Sequence, residues 1–253
     1  GEQRMGTAVM RDRITESPRF WARIAGGMYL FVIVAGAFAE LFVRGRLVVP
    51  GDAAATAHNI MAHQMLYRVG FTLEVFYCAL NLPLALIFYK LFKVVNRNIA
   101  LLGLFFDLVV NPIEAISTLG HFAPLILLGD AHYLRAFTPE QLQAASYISI
   151  QLFEHGFGIC LLFFGFDLFT TAYLIVKSTF FPRIIGVLLA IEAAGYLINS
   201  FSLFLAPAVQ ARIFPYFAPT AIAEIALSLW LLIVGVNVPR WREQAAAAGV
   251  ITN

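Results

Sequence analysis

Long apolar runs broken by sparse polar positions dominate this chain, and their lengths decide what they form. A bilayer core of about 30 Å takes about 20 apolar residues as helix. Six runs reach that length, at roughly residues 24–43, 66–92, 99–128, 147–176, 184–205 and 216–236. None alternates like a barrel strand, and lipid tolerates no open sheet edge, so the runs are predicted to be helices. The expected fold class is all-α: a polytopic membrane protein, a six-transmembrane-helix bundle with short outer helices. Pro83 and Asn111-Pro112 fall inside the second and third runs, while Pro182 opens the fifth and Pro207 closes it.

Two further helices are expected between spans. Asp52 is a good N-cap for Ala53-Ala-Ala-Thr56, and nothing breaks a helix from Ala53 to Val69. It would lie outside the membrane and feed span two. Thr138-Pro139-Glu140-Gln141 is a capping box with proline at the first position, so a second outer helix starts there.

The polar positions inside the runs are spaced by helical turns. Asp107, Asn111, Glu114, Thr118 and His121 step by four or three along span three. Tyr67, Glu74, Tyr77 and Asn81 mark span two; Gln151, Glu154 and Gly158 span four; Glu192, Tyr196 and Asn199 span five; Glu224 and Ser228 span six. Such stripes turn toward a bundle interior.

Composition agrees with a membrane class. Hydrophobic residues make up 60% of 253 residues, charged residues 13%, and mean hydropathy is +0.81. Soluble domains run nearer 45–50% apolar and about 25% charged. A water-soluble domain, a disordered chain, a nucleic-acid binder and a disulfide-stapled module are all disfavoured. Cys78 and Cys160 both lie in apolar runs and read as small buried hydrophobes.

Net charge of +2 implies no anionic partner, but the placement of Lys and Arg implies orientation. Twelve basic residues flank the ends before spans one, three and five and after two, four and six, against five on the other side. The positive-inside rule then puts both termini in the cytoplasm. Residues 1–18 read as a flexible cytoplasmic N-terminus, 19–239 as the membrane domain and 240–253 as a cytoplasmic tail. The first twenty residues are polar and Arg-bearing, so no cleavable leader is expected.

Several segments occur together: Phe42-Val-Arg-Gly-Arg46, Gly51-Asp-Ala-Ala-Ala-Thr56, Val95-Asn-Arg-Asn98, Gly120-His-Phe-Ala-Pro124, Gly156-Phe-Gly158, and Phe181-Pro-Arg-Ile-Ile-Gly-Val-Leu-Leu189 with Gly195-Tyr-Leu-Ile198. With these the chain resembles the bacterial multi-pass membrane family known as domain of unknown function 4386, from about Arg19 to Arg242. The resemblance implies an inner-membrane location in a prokaryote. It implies no activity and no catalytic residues.

Candidate chemistry comes from the acidic residues. Glu40, Glu74, Asp107, Glu114, Glu154, Asp167, Glu192 and Glu224 all fall within the runs. A charge at membrane depth costs about 2.5–3.5 kcal/mol on insertion scales. Measured from the outer end of its span, His121 lies about 10 Å in and Glu114 about 21 Å. Glu74, Glu154, His155, Asn199 and Glu224 fall in the same outer layer as His121. No Lys or Arg is expected deep in a span; Arg44, Arg46 and Arg68 read as rim residues. Carboxylates without basic partners are neutralised by protons or by bound cations.

One reading is therefore a site in the outer half that binds a metal or a small amphipathic ligand, the working part of an enzyme on lipid-soluble molecules. Its metal ligands would be His121, His155, Glu154 and Glu114, holding a divalent transition metal, with Glu74 or Glu224 as catalytic base. A b-type haem between His121 and His155 is a variant of it. The spacing is imperfect: Glu114 and His121 sit about 10 Å apart along their helix, and Glu154 and His155 diverge by about 100°. A second reading is a proton- or cation-coupled transporter in which Asp107, Glu114, Glu192 and Asp167 form a relay. A third is a non-catalytic subunit of a membrane complex. Expected partners are membrane lipids, a lipid-soluble small molecule, and further copies or subunits, but not nucleic acid. Walker loops, Gly-x-Ser-x-Gly, His-Glu-x-x-His and Cys-x-x-Cys do not occur in the sequence.

Overall fold

A computed structural model describes residues 17–217 and 222–250, and among these every regular element is a helix. Helix α1 spans Pro18–Leu47, and its stretch Ala39–Arg44 is wound as a π-helix. Then come α2 (Ala53–Ala62), α3 (Gln64–Phe92), α4 (Arg97–Leu127), α5 (Pro139–Lys177), α6 (Arg183–Leu205), α7 (Pro207–Phe217), α8 (Ile222–Ile233) and α9 (Val238–Ala247). Five of them, α1, α3, α4, α5 and α6, are long and apolar enough to cross a membrane. A sixth candidate is α8 with α9, a pair bent by 100°. Part of the expected sixth span, residues 218–221, lies outside the described residues. So do positions 1–16 of the expected N-terminal segment and 251–253 of the expected tail.

Packing closes a ring. Helix α1 lies against α3, α3 against α4, α4 against α5, α5 against α6, α6 against α8, and α8 returns to α1. The short α2 crosses one end, resting on α5, α4 and α3. This is the capped end. The other carries Arg19, Arg23, Lys90, Lys93, Arg97, Lys177, Arg183, Arg240 and Arg242, and is the basic end. Large apolar side chains such as Phe76, Leu119, Leu152 and Ile191 face outward, where a globular protein would bury them. Lipid offers them the contacts that water would not.

Local signals explain most helix ends. The Asp52 carboxylate accepts from the Ala55 N–H at 2.8 Å, and the Asn96 side chain accepts from the Ile99 N–H at 3.1 Å. Thr138 and Gln141 form the reciprocal capping box. Three segments differ from the sequence-based expectation. The helix expected from Ala53 to Val69 breaks at His63, because α2 must lie flat across the bundle to bury Thr56, Ala57 and Ile60 while α3 runs down it. The helix opened by Thr138 does not stop before span four. It continues as one helix of 39 residues. At about 1.5 Å per residue that is roughly 58 Å, longer than a bilayer core. Residues 240–247, expected as a loose tail, belong to α9. Trp241 there is fully buried, and its indole N–H donates to the Leu91 carbonyl at 3.0 Å.

The main apolar core lies toward the basic end, around Leu91, Phe92, Phe180, Phe181, Leu189, Leu227, Leu231 and Trp241. Its tightest seam is between α1 and α8. A Cβ added at Gly26 would sit 2.3 Å from the Leu232 nitrogen and 2.7 Å from the Ser228 carbonyl oxygen. Both are backbone atoms that no rotamer change can move. At Gly27 the nearest neighbour would be the Leu232 side chain at 3.7 Å, an ordinary contact. Gly26→Ala is therefore expected to cost about 1–3 kcal/mol by overpacking. Gly27→Ala should be near neutral. Thermal unfolding of the two detergent-purified variants checks this, and equal melting temperatures would contradict the close seam.

Candidate functional site

Three elements bring polar side chains together in the half of the bundle nearer the capped end, and a fourth lays an aromatic ring against them. The π-helical turn of α1 carries Glu40 and Arg44, α3 carries Glu74, α4 carries His121, and α5 carries Phe153. A π-helical turn inserts a residue into the ladder and re-aims the side chains that follow it. Here it delivers Arg44 to the interior, where only 8% of the residue is exposed. Its guanidinium pairs with the Glu74 carboxylate through Nη1. Nε and Nη2 both donate to Glu40 Oε2, at 3.0 and 2.7 Å. The guanidinium carbon lies 4.5 Å from the centre of the Phe153 ring, a cation–π placement.

Glu74 and His121 are fully enclosed at 0% and 1% exposure. His121 Nδ1 lies 2.5 Å from Glu74 Oε2, so the two carboxylate oxygens are shared between guanidinium and imidazole. Tyr67 packs edge-on against the His121 ring at 4.4 Å between centroids, and Phe71 and Phe153 complete the enclosure. Two polar atoms here have no partner: His121 Nε2 and the Tyr67 hydroxyl are buried and unbonded.

Along α4 the expected stripe is real. Asn111, Glu114, Thr118 and His121 are all buried, and Asp107 is half-buried. Glu114 is not part of the Arg44 cluster. It lies about 10 Å further along the helix axis, where Oε1 accepts from the Tyr77 hydroxyl at 2.7 Å. Another turn or two on, Asn111 donates to the Asp107 carbonyl at 2.9 Å, and its own Oδ1 is buried without a partner. Near the basic end, α4 and α5 approach closely. A Cβ at Gly103 would meet Thr170 Oγ1 at 2.7 Å and Asp167 Oδ1 at 3.1 Å. Asp107, one turn after Gly103, therefore shares this seam with Asp167.

A separate cluster joins α1, α6 and α8. Glu224 accepts from the Tyr29 hydroxyl at 2.6 Å and from the Tyr196 hydroxyl at 2.7 Å. The Tyr196 hydroxyl is also 3.4 Å from Glu192 Oε1, while Glu192 Oε2 has no partner. Two carboxyl groups thus meet around one phenol. Lys and Arg are absent from their hydrogen bonds and salt bridges among the described residues.

The residues expected to form one metal site occupy different places. His121 joins Glu74, and Glu114 stands with Tyr77. Glu154 and His155 lie on the exposed face of α5, with His155 Nδ1 2.8 Å from the Gln151 carbonyl oxygen. Glu224 is across the bundle with the tyrosines. Among the described residues no group of three or more His, Cys, Asp or Glu side chains is placed to hold a metal ion. Asn199, expected in the same layer, accepts from Gln210 at 3.0 Å. His58, His63 and His132 are exposed.

Two participants escaped the sequence reading. Arg44 was expected at the rim, yet it is the buried cation of the site. Its signal was the Glu40–Arg44 spacing of four at the end of an apolar run, one turn of helix. Tyr29 follows Ala22, Ala25 and Gly26 at helical spacing on the inward face of α1, a stripe whose one hydroxyl needed a buried acceptor.

Removing one partner of a buried ion pair strands the other, at a cost of about 3–5 kcal/mol. Arg44→Met is expected to lower the melting temperature by roughly 10 °C, at about 2–4 °C per kcal/mol for a chain this size. Arg44→Lys should recover only part of that, because a point ammonium cannot serve two carboxylates with a planar fork. Arg44→Met with Glu74→Leu should be more stable than Arg44→Met alone. Thermal unfolding in detergent reads all three, and an Arg44→Met protein as stable as wild type would contradict the pairing.

The comparisons with known proteins bear on kinship. The family profile described as Domain of unknown function (DUF4386) matches residues 24–235. An uncharacterized protein of Archaeoglobus fulgidus is 28% identical over 156 residues, covering 62% of this chain and 77% of that relative. No solved structure matches the chain. The profile runs from the first turns of α1 to the end of α8 and takes in the whole ring of helices with its buried polar clusters. The chain belongs to the DUF4386 family, as a multi-pass membrane protein with five long apolar helices.

Proposed function

We propose that this protein moves protons, coupled to a solute or alone, through the interior of its bundle. The observation that carries the reading is the column on α4. Glu74 with His121 and Glu114 with Tyr77 form two hydrogen-bonded levels, and Asp107, one turn from where Gly103 approaches Asp167, marks a third in succession. From His121 to Glu114 and from Glu114 to Asp107 the axial step is about 10 Å each. Together the levels cover roughly two-thirds of a bilayer core of about 30 Å. Ionisable groups are expensive at such depth and are kept where protons or ions pass.

The chemistry of each level differs. At the first, Arg44 supplies the positive charge beside Glu74, and His121 holds the second carboxylate oxygen while its own Nε2 is left unbonded. The second has no built-in cation, and the electroneutral form of Glu114 carries a proton, with the Tyr77 hydroxyl as neighbour. The same holds for Glu192 and Glu224, because two bare carboxylates around one phenol would repel in an apolar interior. A metal enzyme is the weaker reading. The cation that a metal would provide is already present as the Arg44 side chain, and the expected ligands His155 and Glu154 face outward.

The membrane in this reading is the cytoplasmic membrane of a bacterium. The basic end faces the cytoplasm with both termini, as the excess of Lys and Arg there favours. Helix α8 then belongs to a sixth crossing, the apolar run at about 216–236, and the Arg44 site lies toward the far side.

Purified protein in liposomes carrying a pH-sensitive dye is expected to dissipate an imposed pH gradient at least several-fold faster than empty liposomes. Glu114→Gln, which keeps the Tyr77 contact but removes the exchangeable carboxyl, should bring the rate close to that of empty liposomes. Treatment with a chelator should leave the wild-type rate unchanged. Wild-type flux equal to empty liposomes, across solutes present on one side, would overturn the reading. So would stoichiometric metal in the purified protein that is lost in the His121→Ala/His155→Ala variant.

A further inference from the structure

The basic end holds a cavity that the proton path does not use. It has a volume of about 320 Å³ and lies between the start of α1, the α5–α6 connection and the bend between α8 and α9. Arg19 and Arg240 line it with Thr179 and Trp230, over an apolar floor of Phe180 and Phe181. A second cavity of about 480 Å³ shares Thr179, Phe181 and Arg240 and adds Arg183 and Glu243. Three guanidiniums against one carboxylate leave the combined space positive.

The cationic groups are held in place by backbone. Arg19 donates through Nε to the Val236 carbonyl at 3.4 Å, and Arg240 through Nη1 to the Thr179 carbonyl at 3.3 Å. Among the described residues no salt bridge joins either to a carboxylate. The turn that closes α8 makes room for Arg19: Gly235 has φ of 74°, and a Cβ there would meet Arg19 Cγ at 2.9 Å. Two further features ask for an acceptor. The Trp230 indole N–H is buried and has no partner. Helix α6 starts at Arg183 with Pro182 as its N-cap and no side-chain cap; the Ile185 N–H turns back to the Pro182 carbonyl at 3.2 Å, and the N–H groups of Arg183 and Ile184 have no side-chain cap.

We infer that this cavity binds the phosphate of an anionic amphiphile, with Arg19, Arg240 and the Trp230 N–H on the oxyanion and the apolar floor against its first acyl carbons. Guanidinium forks suit phosphate oxygens in bidentate geometry. The cavity lies where α1 and α6 begin and α5 and α8 end, the level at which spanning helices meet the membrane surface. Basic pockets between helices at that level suit anionic headgroups. The same oxyanion chemistry would accept free phosphate, and the test separates the two sources.

Detergent-purified protein is titrated with phosphatidylglycerol, with phosphatidylcholine and with inorganic phosphate, and bound lipid is counted by native mass spectrometry beside thermal unfolding. Phosphatidylglycerol is expected to bind and raise the melting temperature, while phosphatidylcholine, whose headgroup is neutral overall, should bind at least tenfold more weakly. Arg19→Gln with Arg240→Gln should weaken phosphatidylglycerol by about tenfold or more, the loss of charge-assisted hydrogen bonds. Arg135→Gln, near the capped end, should leave binding unchanged. Trp230→Phe keeps an aromatic side chain and removes the indole N–H, so it should weaken binding even if the double arginine variant fails to fold. Stabilisation by inorganic phosphate equal to that by phosphatidylglycerol, lost in the same variants, would keep the oxyanion site and assign it to a soluble phosphate. Equal binding of the two lipids, or full phosphatidylglycerol binding by Trp230→Phe and the double arginine variant, would overturn the inference.

Discussion

A carboxylate enclosed in an apolar bundle has to be neutralised by whatever touches it, and for Glu74 that is Arg44. The pair is costly to desolvate and more costly to break, since either partner left alone would be a bare charge away from water. Its geometry constrains much else. The π-helical turn of α1 exists where Arg44 must turn inward; Glu40 takes up the remaining face of the guanidinium; Phe153 lies under it; and His121 holds the second Glu74 oxygen. Helices α1, α3, α4 and α5 are thereby fixed in register at one level. Apolar packing alone is poorly suited to that task in lipid, because lipid tails compete for the same surfaces.

The other buried acids use a different solution. Glu114 and Glu224 meet tyrosine hydroxyls where Glu74 meets a cation. A phenol hydrogen-bonds a carboxyl without fixing its charge, and that is what the proposed proton path asks of these groups. The contrast divides the molecule by role. The charged site near the capped end ties four helices together, and in the proposed reading the phenol–carboxyl sites are the places where charge changes. The Arg19, Arg23 and Arg240 guanidiniums at the basic end belong to neither group, because backbone carbonyls hold them.

Much of the fold was legible in the sequence because lipid leaves few choices. Run lengths give the long helices, prolines and caps at Asp52, Thr138 and Pro182 give several of their starts, and the spacing of Asp107, Asn111, Glu114, Thr118 and His121 gives the inward face of α4. The site was less legible. Depth along a helix is readable from residue number, but rotation about the helix axis is readable only where a stripe repeats. Glu154 and His155 had the right depth and the wrong face. Arg44 had a rim position by number, and a π-helical turn, which no apolar pattern encodes, carried it inside. The break at His63 and the unbroken length of α5 follow from how α2 lies across its neighbours, a tertiary demand with no local mark.

The central claim is a distribution of charge: an ionised Glu74 beside Arg44, and protonated carboxyls at Glu114 and in the Glu192–Glu224 pair. Infrared spectroscopy of the reconstituted protein at neutral pH reads this directly, because a protonated carboxyl has a carbonyl stretch that a carboxylate lacks and that shifts in heavy water. The account predicts such bands in the wild type, diminished in Glu114→Gln and in Glu224→Gln and unchanged in Glu74→Gln. A spectrum without protonated carboxyl bands, or one in which Glu74→Gln removes them, would contradict it.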